Sequence, residues 1–189
     1  MGGEFPDGGL MNCGALLQEL EQPRPQASRI NELVSALERN HPCDLNKQRH
    51  QLEAVWELRW SSSSQPYLQV QPWLQNLQVL QPSCGRGMNL LRLNGVIAPL
   101  IGVAVMAELT LEPPQRVGVR FRQGGLIGPR FGSIQGRLLT AINQDFPAWL
   151  DITVLNEQLR VCRGNNGTLF VLLRRDDLSC EELLPNVHA

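Results

Sequence analysis

Two periodicities divide the chain. Ile30, Leu33, Val34 and Leu37 recur at helical spacing, with Ser28 placed as an N-cap and His41-Pro42 ending the run. From Ala54 onward the period falls to two. Trp56, Leu58 and Trp60 alternate with Val55, Glu57 and Arg59, which predicts a strand with one aromatic inward face. The serines from Ser61 to Ser64, followed by Gln65-Pro66, turn the chain. Further strands are predicted around Leu77 to Leu80, at Met88 to Leu93, and at Val103 to Leu111, which ends at Pro113-Pro114. Arg116 to Arg122 is the cleanest alternation: Val117, Val119 and Phe121 face one way, Arg116, Arg120 and Arg122 the other. Gly124 to Gly136 reads as a loop, and Arg137 to Ile142 as a short helix or strand.

The last part of the pattern is the most informative. Leu150 to Leu155 is apolar and β-branched, Asn156-Glu157 turns, and Leu159 to Arg163 alternates again. Gly164-Asn165-Asn166-Gly167 supplies residues tolerant of positive φ, and Thr168 to Leu173 is a nearly continuous apolar strand. Leu159, Val161 and Arg163 share one face of the middle strand and Arg160 and Cys162 the other, so an arginine points to each side of the sheet. A meander of about eight such strands avoids exposed edges by closing. The expected fold is therefore mainly β with N-terminal helices, a small up-and-down barrel. Residues 1–11 read as a disordered tail, 12–53 as a helical segment packed on the barrel, 54–178 as the barrel and 179–189 as a second tail.

Composition narrows the function. At 189 residues one domain is the default, and a net charge of −1 implies no general affinity for nucleic acid. No run approaches the ~20 apolar residues of a membrane span, since Val96 to Ala107 is broken by Pro99 and Gly102. The N-terminus has neither a signal-peptide pattern nor a Ser- and Arg-rich transit pattern, so a cytoplasmic location is expected. Cys13, Cys43, Cys84, Cys162 and Cys180 lack C-x-x-C spacing and read as reduced thiols. His41, His50 and His188 form no metal spacing, and no metal or cofactor is expected. The Gly-rich loop matches neither phosphate-binding pattern, no G-x-S-x-G occurs, and neither Asp145 with Asp151 nor Asp176 with Asp177 has a context for acid catalysis. No catalytic residue emerges, and the chain is not expected to be an enzyme.

Two blocks carry a family resemblance. Leu52 to Ser63 reads L-E-A-V-W-E-L-R-W-S-S-S after Asn40-His41-Pro42, and Leu150 to Leu172 has the form L-D-x-T-x-L-x-x-x-L-R-x-x-R-G-x-x-G-x-x-F-V-L. Together they resemble the plastid lipid-associated (PAP/fibrillin) proteins over roughly residues 28–175. Val154 and Asn156 stand where the family usually has Tyr and Asp, and Ala54 and Val55 replace the glycine before the first-strand Trp.

The resemblance implies a lipocalin-like barrel in a cyanobacterial member, working at thylakoid membranes or plastoglobule-like lipid droplets. Its partner would be a prenyl lipid, fatty acid, carotenoid or similar hydrophobic molecule. By analogy with lipocalins, Trp56 would stack on a late-strand arginine, Arg160 first and Arg163 second. Either the pair pins the barrel closed or the arginine meets the ligand. Asp151 either faces inward and neutralises that charge or solvates the strand edge. Trp60, Phe121 and Phe170 complete the expected ligand-binding set, beside inward Leu58, Leu91, Val103, Val105, Val119 and Leu172. Because a hollow and a filled barrel share one binary pattern, two other readings stay open: an adaptor with a solid core, or a bilin-handling protein using Cys162. The arginine stripe at 116, 120 and 122, with Arg130 and Arg137, reads as a solvated outer face or a patch for anionic headgroups.

Overall fold

A computed structural model describes residues 7–95, 102–131, 134–143 and 148–184. Residues 1–6 and 185–189 of the expected tails, and 96–101 of the longest apolar stretch, fall outside the described residues. Among the described residues nine strands form one antiparallel sheet that closes in a ring. They are β1 (Ala54–Ser61), β2 (Leu74–Gln81), β3 (Arg86–Leu93), β4 (Gly102–Glu112), β5 (Arg116–Phe131), β6 (Ile134–Ala141), β7 (Ala148–Leu155), β8 (Leu159–Gly164) and β9 (Leu169–Arg174). The ring runs β1-β2-β3-β4-β5-β7-β8-β9 and back to β1, so eight strands close it, as the alternation predicted.

β6 is the ninth strand and lies outside the ring. Residues 116–119 of β5 pair with β7, and its far half pairs with β6. The predicted Gly-rich loop is therefore strand, the end of β5 and the start of β6, and Arg137 lies within β6. Low glycine propensity is outweighed here by close approach. A Cβ on Gly125 would collide with the Leu138 carbonyl oxygen, so the bare backbone is what lets the two strands meet.

Helices cover the ring at three places. α1 (Asp7–Leu20) and α2 (Ala27–Asn40) lie on the outer face of β7, β8 and β9. Ile30, Leu33, Val34 and Leu37 of α2 and Leu16 of α1 bury against Val154, Val161 and Val171. α1 begins within the segment read as a disordered tail. α2 begins at Ala27, with Gln26 rather than Ser28 at the N-cap position.

α3 (Leu45–Leu52) closes one end of the barrel. Asp44 caps it by accepting from the Asn46 N–H at 3.0 Å. The Gln48 side chain donates to the Leu155 carbonyl at 2.7 Å, and the Leu45 N–H to the Pro114 carbonyl at 2.7 Å. Leu45 and Leu52 thereby join the interior cluster around Trp56. α4 (Cys180–Leu183) packs with Leu184 on Val55, Leu77, Val79 and Leu90, outside β1 to β3. Among the described residues no helix is long and apolar enough to cross a membrane.

Candidate ligand-binding cavity

The barrel interior begins at a floor built from two elements with opposite demands. Trp56 on β1 is fully buried, and its Nε1–H donates to the Leu52 carbonyl of α3 at 3.1 Å. Arg160 on β8 is also 0% exposed, with its guanidinium 5.3 Å from the Trp56 ring centroid. Its Nη2 donates to Oε1 of Gln78 on β2. Nε and Nη1 have no hydrogen-bond partner among the described residues. Burial lowers the Arg160 pKa, yet a guanidinium stays charged in proteins. A cation in this setting ordinarily requires a carboxylate.

Among the described carboxylates of the ring strands, Asp151, Glu57 and Glu108 pair elsewhere. Asp151 faces outward, a correction to the inward option. Ile152 takes the interior position next to it, and directly across from Asp151 lies Arg116 on β5. The two form a bidentate pair, Nε to Oδ1 at 2.7 Å and Nη2 to Oδ2 at 3.0 Å. Glu57 pairs with Arg175, and Glu108 with Arg122. Arg163 also points out, where its Nε and Nη2 each meet a Glu38 carboxylate oxygen of α2 at 2.9 Å. Two of the three outer arginines at 116, 120 and 122 are thus tied to acids on the sheet, which weakens the headgroup-patch reading of that face.

Above the floor the ring encloses a cavity of about 540 Å³. Leu80, Leu109, Val119, Phe121, Ile152 and Phe170 supply its apolar wall, and Gln78 and Asn89, opposite each other on β2 and β3, its polar side chains near the floor. Ser62, Ser63 and Tyr67 of the β1–β2 connection, with Asn165 and Thr168 of the β8–β9 turn, stand at the open end. Phe121, which the alternation turns inward, and Phe170 both line this space.

Trp60 is not. A bulge between Leu58 and Trp60 shifts β1 by one residue against β9, so Leu58 opposes Leu172 inside while Trp60 opposes Val171 outside and packs against the helical cluster. Val103 keeps the interior parity but is 47% exposed, where β4 and β5 run on past the ring. Gln78 and Asn89 were missed, since a glutamine of the Gln-rich β2 and a lone asparagine in the apolar β3 carry no mark of facing inward.

Cys162 does face inward beside Arg160, fully buried. Burial pushes its thiol up, against the opposing pull of the arginine. Burial likewise raises Cys13, takes Cys43 to about 12 and Cys180 to about 11, and leaves Cys84 as the exposed thiol. An aromatic disulfide reagent should therefore titrate Cys84 quickly in the native protein and the other four only as it unfolds. Rapid labelling of Cys162, read by peptide mapping, would contradict this and restore it as a nucleophile. No cluster of His, Cys, Asp and Glu fit for a metal occurs among the described residues.

No curated protein and no solved structure matches the chain. The PAP/fibrillin family model does, over residues 18–173, a span that runs from α1 through α2 and α3 to β9 and so contains both the cavity and its floor. With that match over most of its length, the chain belongs to the PAP/fibrillin family of lipid-associated proteins.

Proposed function

We propose that the barrel is a hollow carrier that holds one hydrophobic small molecule, a lipid or pigment, for sequestration or delivery. The observation that carries this reading is the cavity of about 540 Å³, walled by apolar side chains that pack below onto Trp56 and onto Leu45 and Leu52 of α3. Ligand sites of this kind span about 300–1,000 Å³ and combine apolar walls with few polar groups. The family's lipid association supports the same class of cargo. Binding then follows from removing apolar ligand surface from water, at about 25 cal/mol per Å².

Filling the cavity tests the proposal. Ala107 opposes Phe121 on the interior side of β4 and β5. Ala107→Phe should weaken binding of a fluorescent long-chain lipid by about tenfold or more, while its melting temperature stays within a few degrees of the parent. Undiminished binding would place the ligand elsewhere.

The mouth supports delivery at a lipid surface. Tyr67, Val70 and Trp73, on the connection between β1 and β2, are 55%, 45% and 60% exposed, and Leu93 lies beside them at the end of β3. Aromatic side chains of this type settle at bilayer interfaces. The setting inferred is the surface of a photosynthetic membrane or lipid droplet. Replacing Tyr67 and Trp73 by serine should cut co-sedimentation with neutral phospholipid vesicles by about tenfold. Equal sedimentation would remove the mouth as the contact.

A further inference from the structure

The unpaired cation beneath the cavity specifies more than a hydrophobic cargo, and the inference rests on the carrier reading above. We propose that the ligand bears a carboxylate head seated at the cavity floor on the side-chain amides of Gln78 and Asn89, with Arg160 supplying the compensating charge from behind.

Three observations lead there. A guanidinium offers donors only, so the amide of Gln78 must turn its oxygen to Arg160, as it does. The polar group that Gln78 can present to the cavity it lines is then N–H, a donor. Its amide cannot flip without setting NH₂ against the guanidinium. Arg160 fixes the polarity of the floor without lining the cavity itself.

Asn89 is the cross-strand partner of Gln78, lines the same space, and is exposed. A second amide is thus free to orient as donor toward the same point. The two lie on one face of adjacent strands, where paired side chains sit about 5 Å apart, close enough to share one carboxylate.

Arg160 retains two guanidinium nitrogens without partners, and Asp151 on the adjacent β7, with Glu57 and Glu108 further round the ring, is engaged with other arginines. The interior field of the described residues is therefore positive. An acceptor-only, negatively charged head satisfies both amide donors and that field. A neutral ester satisfies the donors weakly and the charge not at all. A carotenoid hydrocarbon satisfies neither.

The experiment compares hexadecanoic acid with methyl hexadecanoate on the full chain by calorimetry, at a pH where the acid is ionised. The acid should bind about tenfold tighter or more. Gln78→Glu places a carboxylate on Arg160 and removes the donor. Its acid-to-ester ratio should fall to about one, with a melting temperature at or above the parent. Equal affinities in the unsubstituted protein would overturn the acidic head while leaving the carrier intact. A preference that survives Gln78→Glu would overturn the floor as its seat. Failure of both compounds to bind would overturn the carrier reading and this inference with it. The comparison on the unsubstituted chain stands whether or not the variant folds.

Discussion

Trp56→Ala is expected to remove about 3–5 kcal/mol of stability, about a fifth or more of what a domain of ordinary stability, about 5–15 kcal/mol, has to lose. Three elements meet on this side chain. β1 carries it, α3 is held to it through the Leu52 carbonyl, and β8 presents Arg160 to its ring. With 0% of the residue exposed, truncation leaves a void at the closed end that α3 alone cannot collapse into. Trp56→Phe separates the contributions. It keeps most of the volume and loses one hydrogen bond and the better cation–π face, about 1–3 kcal/mol together. Urea unfolding read by far-ultraviolet circular dichroism measures both. A Trp56→Ala midpoint equal to the parent's would show that the floor does not hold the barrel together.

Arg160→Met should behave in the opposite way. Methionine follows much of the path of the arginine stem and fills irregular space, so packing against Trp56 is largely kept. What disappears is a buried cation with no carboxylate among the described residues, and replacing buried charge by apolar bulk is often neutral or stabilising by about 1–4 kcal/mol. The ligand-free variant is therefore expected to unfold within about 1 kcal/mol of the parent, or later, and to lose its preference for an acidic ligand. Arg160→Ala, which also deletes the stem, should cost about 2–4 kcal/mol. If Arg160→Met is as damaging as Arg160→Ala, the guanidinium serves the fold and not the cargo. Denaturant midpoints of both variants without ligand decide it.

The contrast between these two residues shows what the sequence made legible. Trp56 stood out because it opens an alternating strand after a helix and belongs to a recognisable block. The three C-terminal strands were legible because turn residues of fixed chemistry separate them, Asn156-Glu157 and Gly164 to Gly167, with Gly167 at φ 73°. Arg160 and Arg163 could be told apart only by parity. Parity alone does not say which side is in, because β8 is buried on both faces, by the barrel inside and by α1 and α2 outside.

Bulges defeat parity entirely. The slip between Leu58 and Trp60 moves one tryptophan from the cavity to the helical layer with no mark in the sequence. Gln78 illustrates the opposite failure. A polar residue inside a barrel looks like an outer one until its partner, 82 residues away in sequence, is known. The glycines of β5 read as loop because propensity is local, whereas the approach of β6 that needs them is not.

The carrier proposal is tested most directly by native mass spectrometry of the full chain, purified without detergent and then incubated with a mixture of long-chain acids, prenyl lipids and carotenoids. A hollow barrel gives one added mass per chain, matching one member of the mixture and absent after Ala107→Phe. A clean ligand-free mass for the unsubstituted protein at saturating lipid would contradict it, and would mean a barrel that closes on its own side chains.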